Sequence, residues 1–336
     1  MAQQRYTKPE DYIYASTRVR IFERRLLKPE DWVRFRQVAS FGEGLQFLKE
    51  TPYGNRMEVD GLTYDESLNR ESIRLRSELR GAAPGSPLLR LISLQDLYHN
   101  LKVLAKMNVL DQDLSHLLVE VEDFDLRYLE NLFAHPEQNK QESPEETAIA
   151  DLVSDYQKHQ DPERLEIILD KALYADMAQL TQELGSDLIR QWQQEQTDYQ
   201  NLAIFLRMKR AGKAQPLFDF AFLPGGTLNK EILAGLYGQA DLPTGADLKA
   251  AGVTDSLLEA WTQAVDQGDL AYLEKRRDEA SLNLARKAQR MTYGPEILFA
   301  YYLLRQTEIQ NIRTLMIGLQ SDLNAAQRAA RLRLAD

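Results

Sequence analysis

Four histidines, no cysteine and 51 carboxylates set the chemistry open to this 336-residue chain. Without cysteine there is no thiolate nucleophile, no disulfide framework and no sulfur-ligated zinc. The histidines, His99, His116, His135 and His159, are scattered, with no H-x-x-x-H or H-E-x-x-H spacing to gather a metal. No G-x-S-x-G elbow is present. Gly225-Gly226-Thr227 follows an apolar stretch but lacks the lysine arrangement of a phosphate-cradling loop, so it reads as a turn feeding a helix. Asp111, Asp113, Ser115 and Glu122 fit positions 1, 3, 5 and 12 of a calcium loop. Position 6, where a sharp turn needs glycine, is His116, and Leu117-Leu118-Val119 reads as continuing helix. Glu122-Asp123-Phe124-Asp125 suggests a magnesium-diphosphate motif but has no acid-rich counterpart. Catalysis, nucleotide binding, a cofactor and a bound metal are all unexpected.

One polar pattern recurs. Asp96-Leu-Tyr-His-Asn100-Leu101, Asp198-Tyr-Gln-Asn201-Leu202 and Glu308-Ile-Gln-Asn311-Ile312 each place a carboxylate three or four residues before an asparagine. A branched apolar residue follows each asparagine, and Leu104, Phe205 or Leu315 stands four residues on. The asparagines are 101 and 110 residues apart, close to a third of the chain. On a helix, residues at i and i+3 or i+4 share a face, so acid and amide sit together beside an apolar stripe. A side-chain amide there can tie its helix to a neighbour, provided its donors and acceptors are met.

The elements that must carry this pattern are helices. Apolar residues recur at intervals of three and four, as in Ile309, Ile312, Met316, Leu319, Leu323 and in Leu94, Leu97, Leu101, Leu104. Period-2 β-branched runs are absent. Ser143-Pro144-Glu145-Glu146 has the form of a capping box with proline at the first helical position. Lys28-Pro29, Ser86-Pro87, Asp161-Pro162 and Gly294-Pro295 repeat the proline device. Turns are expected at Pro52-Tyr53-Gly54, Gly81 to Gly85, Gly212, Pro224 to Gly226 and Gly235 to Gly245, with a surface connection from Ala134 to Glu146.

No apolar run is long enough to span a bilayer, and the opening residues lack an apolar signal core, so a cytoplasmic protein is expected. A net charge of −10 disfavours broad nucleic-acid binding. Two local basic clusters, Arg18, Arg20, Arg24, Arg25, Lys28 and Arg328, Arg331, Arg333, read first as solvated helix faces and second as partner-docking sites.

Several segments together resemble the C subunit of V-type ATPases and ATP synthases, called d in eukaryotes. They are Tyr12-Ile-Tyr-Ala-Ser-Thr-Arg18-Val-Arg20 with Leu26-Leu27, Thr51-Pro-Tyr53-Gly54, the three acid–asparagine segments, and Phe222-Leu-Pro-Gly225-Gly226-Thr-Leu228. The match runs from near residue 12 to near 319. It departs after Arg313, where Gly-Lys is replaced, and in the basic amphipathic tail Ala325–Asp336. The resemblance implies an all-α fold of three related lobes forming a funnel, with boundaries expected at 1–116, 117–215 and 216–336. It implies a non-catalytic central-stalk subunit, peripheral on the cytoplasmic face. Its partners would be the rotor shaft subunits and the membrane proteolipid ring, in H⁺ or Na⁺ transport. Arg18, Arg20, Arg24 and Arg25 are the candidate docking residues. A generic helical scaffold and an all-α metal-dependent enzyme are the alternatives.

Overall fold

The computed structural model describes residues 6–54, 63–121 and 124–333. Among these there is no strand, and the fold is all-α. In chain order the helices are α1 (Ile13–Phe22), α2 (Pro29–Gln37), α3 (Phe41–Lys49), α4 (Tyr64–Ala82), α5 (Pro87–Leu110), α6 (Leu126–Ala134), α7 (Pro144–His159) and α8 (Pro162–Leu184). They continue as α9 (Asp187–Arg210), α10 (Gln215–Ala221), α11 (Lys230–Tyr237), α12 (Gly245–Ala250), α13 (Asp255–Asp266), α14 (Ala271–Gln289), α15 (Pro295–Gln320) and α16 (Ala325–Ala330). Glu122, Asp123 and the end of the tail, 334–336, lie outside the described residues.

Local chemistry sets the boundaries. Each of the five prolines expected to open a helix is the first residue of one: α2, α5, α7, α8 and α15. Ser143 Oγ caps α7 by accepting from Glu146 N at 3.3 Å. The capping box there does not close on itself. The Glu146 carboxylate instead accepts from Glu142 N at 3.0 Å and from Tyr128 OH at 2.9 Å. Gly81 and Gly235, expected in turns, are still helical, in α4 and α11. The stretch Leu117-Leu118-Val119 is not a continuing helix. α5 ends at Leu110, Asp111 is left-handed (φ 50°), and only a short 3-10 turn, Ser115–Leu117, follows.

The chain forms two compact units, Met1–Leu89 with Asp278–Asp336, and Arg90–Arg277. In the first, α15 packs against α1, α3 and α4. Its stripe Ile309, Ile312, Met316 and Leu319 is buried against Phe35, Phe47, Leu48, Tyr53 and Leu68. Leu323, the last expected member, lies beyond the helix end and is half-buried. Burying one such side chain contributes about 1.5–3 kcal/mol. Four of them outweigh any single surface ion pair in holding α15. α3 comes so close that a Cβ on Gly44 would lie 2.9 Å from the Met316 sulfur.

In the second unit α7 packs on α8, and α8 on α9 and α10. Leu94, Leu97, Leu101 and Leu104 of α5 are all buried. Phe205 of α9 is the centre of an aromatic group, edge-on to Phe218, Tyr237 and Trp261 at centroid distances of 5.3, 5.2 and 5.6 Å. No described helix is long and apolar enough to cross a membrane.

Candidate functional site

The three asparagines make the same contact. Asn100 of α5 donates through Nδ2 to Val119 O at 2.8 Å and accepts at Oδ1 from Val119 N at 2.9 Å. Asn201 of α9 does this with Leu223, at 3.1 and 2.8 Å. Asn311 of α15 does it with Arg333, at 2.8 and 2.9 Å. In each case one amide satisfies both backbone groups of a single residue 19 or 22 positions downstream. The partners are irregular segments and not helices, so each amide pins a returning loop to the long helix it left.

The carboxylates extend these clamps. Asp198 accepts from Thr227 N at 2.8 Å, Thr227 Oγ1 at 2.6 Å and Leu228 N at 3.3 Å. Burial pushes its pKa up, against the pull of those three donors. The loop must come close for this, since a Cβ on Gly226 would lie 2.2 Å from Asp198 Oδ1. Glu308 plays the matching part with a remote partner, accepting from Leu27 N at 2.7 Å and Tyr53 OH at 2.6 Å. Leu228 immediately precedes Asn229, the cap of α11, and Leu27 immediately precedes Lys28 and α2. Leu27 thus occupies, beside Glu308, the place that Leu228 occupies beside Asp198. Asp96, four residues before Asn100, is half-buried.

Two buried ion networks were not anticipated from sequence. Arg305, 3% exposed, reaches Glu71 at 3.0 Å and also bonds Glu308, with its guanidinium 4.3 Å from the centroid of the Tyr53 ring. Burial raises Glu308, and Arg305 and Tyr53 pull it back. In the other unit Arg90 joins Glu145 at 2.8 Å and Asp176 at 2.7 Å. An arginine placed directly after the apolar run Ile297–Leu304 and three residues before Glu308 was the available signal for the first network. Glu71, in a polar stretch of α4, offered none.

The N-terminal arginines are not a solvated face. Arg18 donates to Gly81 O, and Arg20 bonds Glu23 at 2.9 Å and the carbonyls of Gln289 and Met291 at 2.7 Å. Arg25 pairs with Glu78. Arg24 alone of the four is exposed and, among the described residues, has no hydrogen-bond or ion-pair partner. Two of the three C-terminal arginines are also tied down, while Arg331 is exposed. Arg328, 6% exposed, donates to Val38 O at 2.7 Å, and Arg333 pairs with Asp278 at 2.5 Å. Among the described residues no group of three or more histidine, aspartate or glutamate side chains is placed to hold a metal.

The sequence matches the family described as ATP synthase (C/AC39) subunit over residues 15–330. The chain belongs to that family. Its relatives include the C subunit of the V-type sodium ATPase of Enterococcus hirae, 23% identical over 313 residues, covering 90% of this chain and 92% of the relative. The C subunit of the V-type ATP synthase of Thermus thermophilus is 24% identical over 330 residues, covering 91% and 93%. All three clamp asparagines lie within the span that matches the C/AC39 family.

Proposed function

We propose that this chain is the non-catalytic central-stalk subunit of a rotary V-type ATPase or ATP synthase. In this role it joins the rotating shaft of the ATP-handling head to the membrane proteolipid ring, on the cytoplasmic face, in H⁺ or Na⁺ transport. The observation that carries the reading is membership of the C/AC39 family across residues 15–330, with relatives named for both a sodium ATPase and an ATP synthase. The recurring clamp favours three related lobes, one built on each of Asn100, Asn201 and Asn311.

A rotor adaptor does no covalent chemistry and must resist twisting. Each charge moved is worth about 2.3 kcal/mol per 100 mV. An exposed ion pair is worth roughly 0.2–1 kcal/mol, so the load has to be shared across a wide interface. Within such an interface Arg24 remains the docking candidate, on the helical turn that follows α1, whose exposed apolar side chains are Ile13, Tyr14 and Ile21. Arg18, Arg20 and Arg25 already hold intramolecular bonds, so reversing all four charges would damage the fold and the docking together.

The test is co-purification of the tagged chain with shaft and proteolipid subunits from its native membranes. Recovery of both is expected. Recovery of neither would leave a generic helical scaffold as the better reading. Arg24→Glu should weaken capture while leaving helicity unchanged.

A further inference from the structure

Lys171 of α8 and Lys230, the first residue of α11, have no acidic partner among the described residues. Lys171 is half-buried and Lys230 is exposed. Burial and the nearby charges of Lys230 and Arg164 hold the Lys171 ammonium below its usual range, so the three cations lie close enough to repel. Only Arg164 is neutralised, by Asp155 at 2.8 and 2.6 Å. The carboxylates of α8 that could answer Lys171 are engaged elsewhere: Glu163 with Lys213 at 2.7 Å, Glu166 with Lys106 at 2.6 Å and Asp170 with Lys102 at 2.6 Å. Among the described residues Asp219 of α10 and Glu231, which follows Lys230, form no ion pair with either lysine. Two half-buried aromatic rings complete the cluster, on and just after α10, which packs against both α8 and α11. Arg164 and Lys171 lie 4.0 and 4.9 Å from the ring centroid of Phe220, and Lys230 lies 6.0 Å from that of Phe222.

We propose that this face of α8, α10 and α11 docks an acidic surface of a partner subunit, one of whose carboxylates seats between Lys171 and Lys230. Charge complementarity is the argument. The gathered like charges raise the free energy of the isolated chain, and a carboxylate placed between them removes that penalty as it binds. Phe220 and Phe222 add aromatic area beside the charges, of the kind enriched where proteins meet. A phosphate polymer or a lipid surface fits less well. The net charge of −10 opposes an extended anion, whereas screening over about 8 Å lets two lysines govern a local contact. The proposal rests on the coupling role only for its setting, a complex of several protein subunits.

The test uses material captured from native membranes through the tagged full chain. A water-soluble carbodiimide joins a lysine amine to a carboxylate in direct contact, and mass spectrometry identifies the linked peptides. Linkage of Lys171 or Lys230 to an aspartate or glutamate of another subunit is expected. Both lysines should also react roughly fivefold more slowly with acetic anhydride than in the isolated chain, since an ion-paired amine stays protonated. Lys230→Glu should cut the Lys171 linkage roughly tenfold, because a like charge then faces the partner's carboxylate. In the isolated chain the same change should raise the urea midpoint, because it sets an acid beside Lys171. Equal acylation of both lysines in captured and isolated chain overturns the proposal, whatever else is captured. So does protection without linkage to a carboxylate, or linkage only to a second copy of this chain. A lowered urea midpoint with Lys230→Glu overturns it too, because the lysines would then serve the fold. Protection of the isolated chain by phosphatidylglycerol vesicles would assign the face to lipid and overturn it as well. Failure of the rotary reading shows separately, as captured material lacking shaft and proteolipid subunits, whereas failure of this proposal alone shows as open lysines in material containing both.

Discussion

Truncating the clamp asparagines to alanine should have unequal costs, in an order fixed by the burial of the partner and not of the asparagine. Asn201 is 1% exposed, and so is Leu223, whose N–H and C=O it satisfies. Asn201→Ala strands both groups where water cannot reach them. Each stranded group costs about 1–3 kcal/mol, so the loss for the two should be about 2–6 kcal/mol. Asn100 is equally buried, but Val119 is half-buried and next to exposed Glu120. Water can replace the lost amide there, and Asn100→Ala should cost about 1 kcal/mol, the net worth of an ordinary hydrogen bond. Asn311, whose partner Arg333 is also half-buried, should fall near Asn100. Urea denaturation followed by far-ultraviolet circular dichroism gives the totals. Native-state hydrogen exchange, resolved to the segments holding Leu223 and Val119, locates them. Equal losses for Asn201→Ala and Asn100→Ala would refute the desolvation argument.

Three further outcomes follow from the same structure. Arg305→Met should destabilise the protein by about 3–5 kcal/mol, because Glu308 then loses its buried counter-charge and Glu71 loses the closer of its two arginines, keeping Arg74 at 3.4 Å; adding Glu308→Gln should recover part of that in the same denaturation assay, and a mild single-mutant effect would count against the network. Gly226→Ala should cost about 1–3 kcal/mol by forcing its Cβ into Asp198. Gly42→Ala, in α3 with nothing within 4 Å of the new methyl, should instead raise the melting temperature slightly, since glycine in a helix costs roughly 0.5–1 kcal/mol relative to alanine. The Asp155 pKa is held below its usual 3.8 by Arg164, at 2.8 and 2.6 Å. A depressed folded pKa means the pair's stabilisation is present above 3.8 and lost as pH falls through the lower value; carboxyl NMR should give a pKa under 3.8 that rises in Arg164→Gln.

Periodicity and proline placement made the helices legible, because both are local. The stripe from Ile309 to Leu319 needs only its own spacing to declare a buried face, and Pro29, Pro87, Pro144, Pro162 and Pro295 mark helix starts through a missing N–H. The acid–asparagine spacing was visible for the same reason, since i and i+3 share a face. What those side chains hold was not visible, because each partner is an irregular segment about 20 residues downstream, or, for Glu308, Leu27 at the other end of the sequence. The Leu117-Leu118-Val119 stretch misled because apolar residues alone suggested helix, whereas Asn100 takes up the backbone groups that a helix would have used. The arginine clusters misled in the opposite way. A run of like charges looks solvated until distant carbonyls such as Gln289, Met291 and Val38 are known to lie within reach.

That misreading bears on how such a body could carry load in the proposed coupling role. A helix bundle yields to twisting first at its connections, where few backbone bonds resist rotation of one helix against the next. Here the connections after α5, α9 and α15 are each fixed by two hydrogen bonds with one buried amide, so none can swing without breaking both, and the one after α9 would also strand buried polar groups. Arg20 and Arg328 act alike, each joining carbonyls far apart in sequence or at a helix end. Charge that would give weak, screened contacts at the surface is spent inside the body, where it stiffens loops. Of the two basic clusters, Arg24, Lys28 and Arg331 remain exposed, and in the proposed role partner contacts would draw on such residues. Breaking an internal tie such as Asn201 should therefore soften the adaptor without weakening its capture by partners, whereas Arg24→Glu should do the reverse.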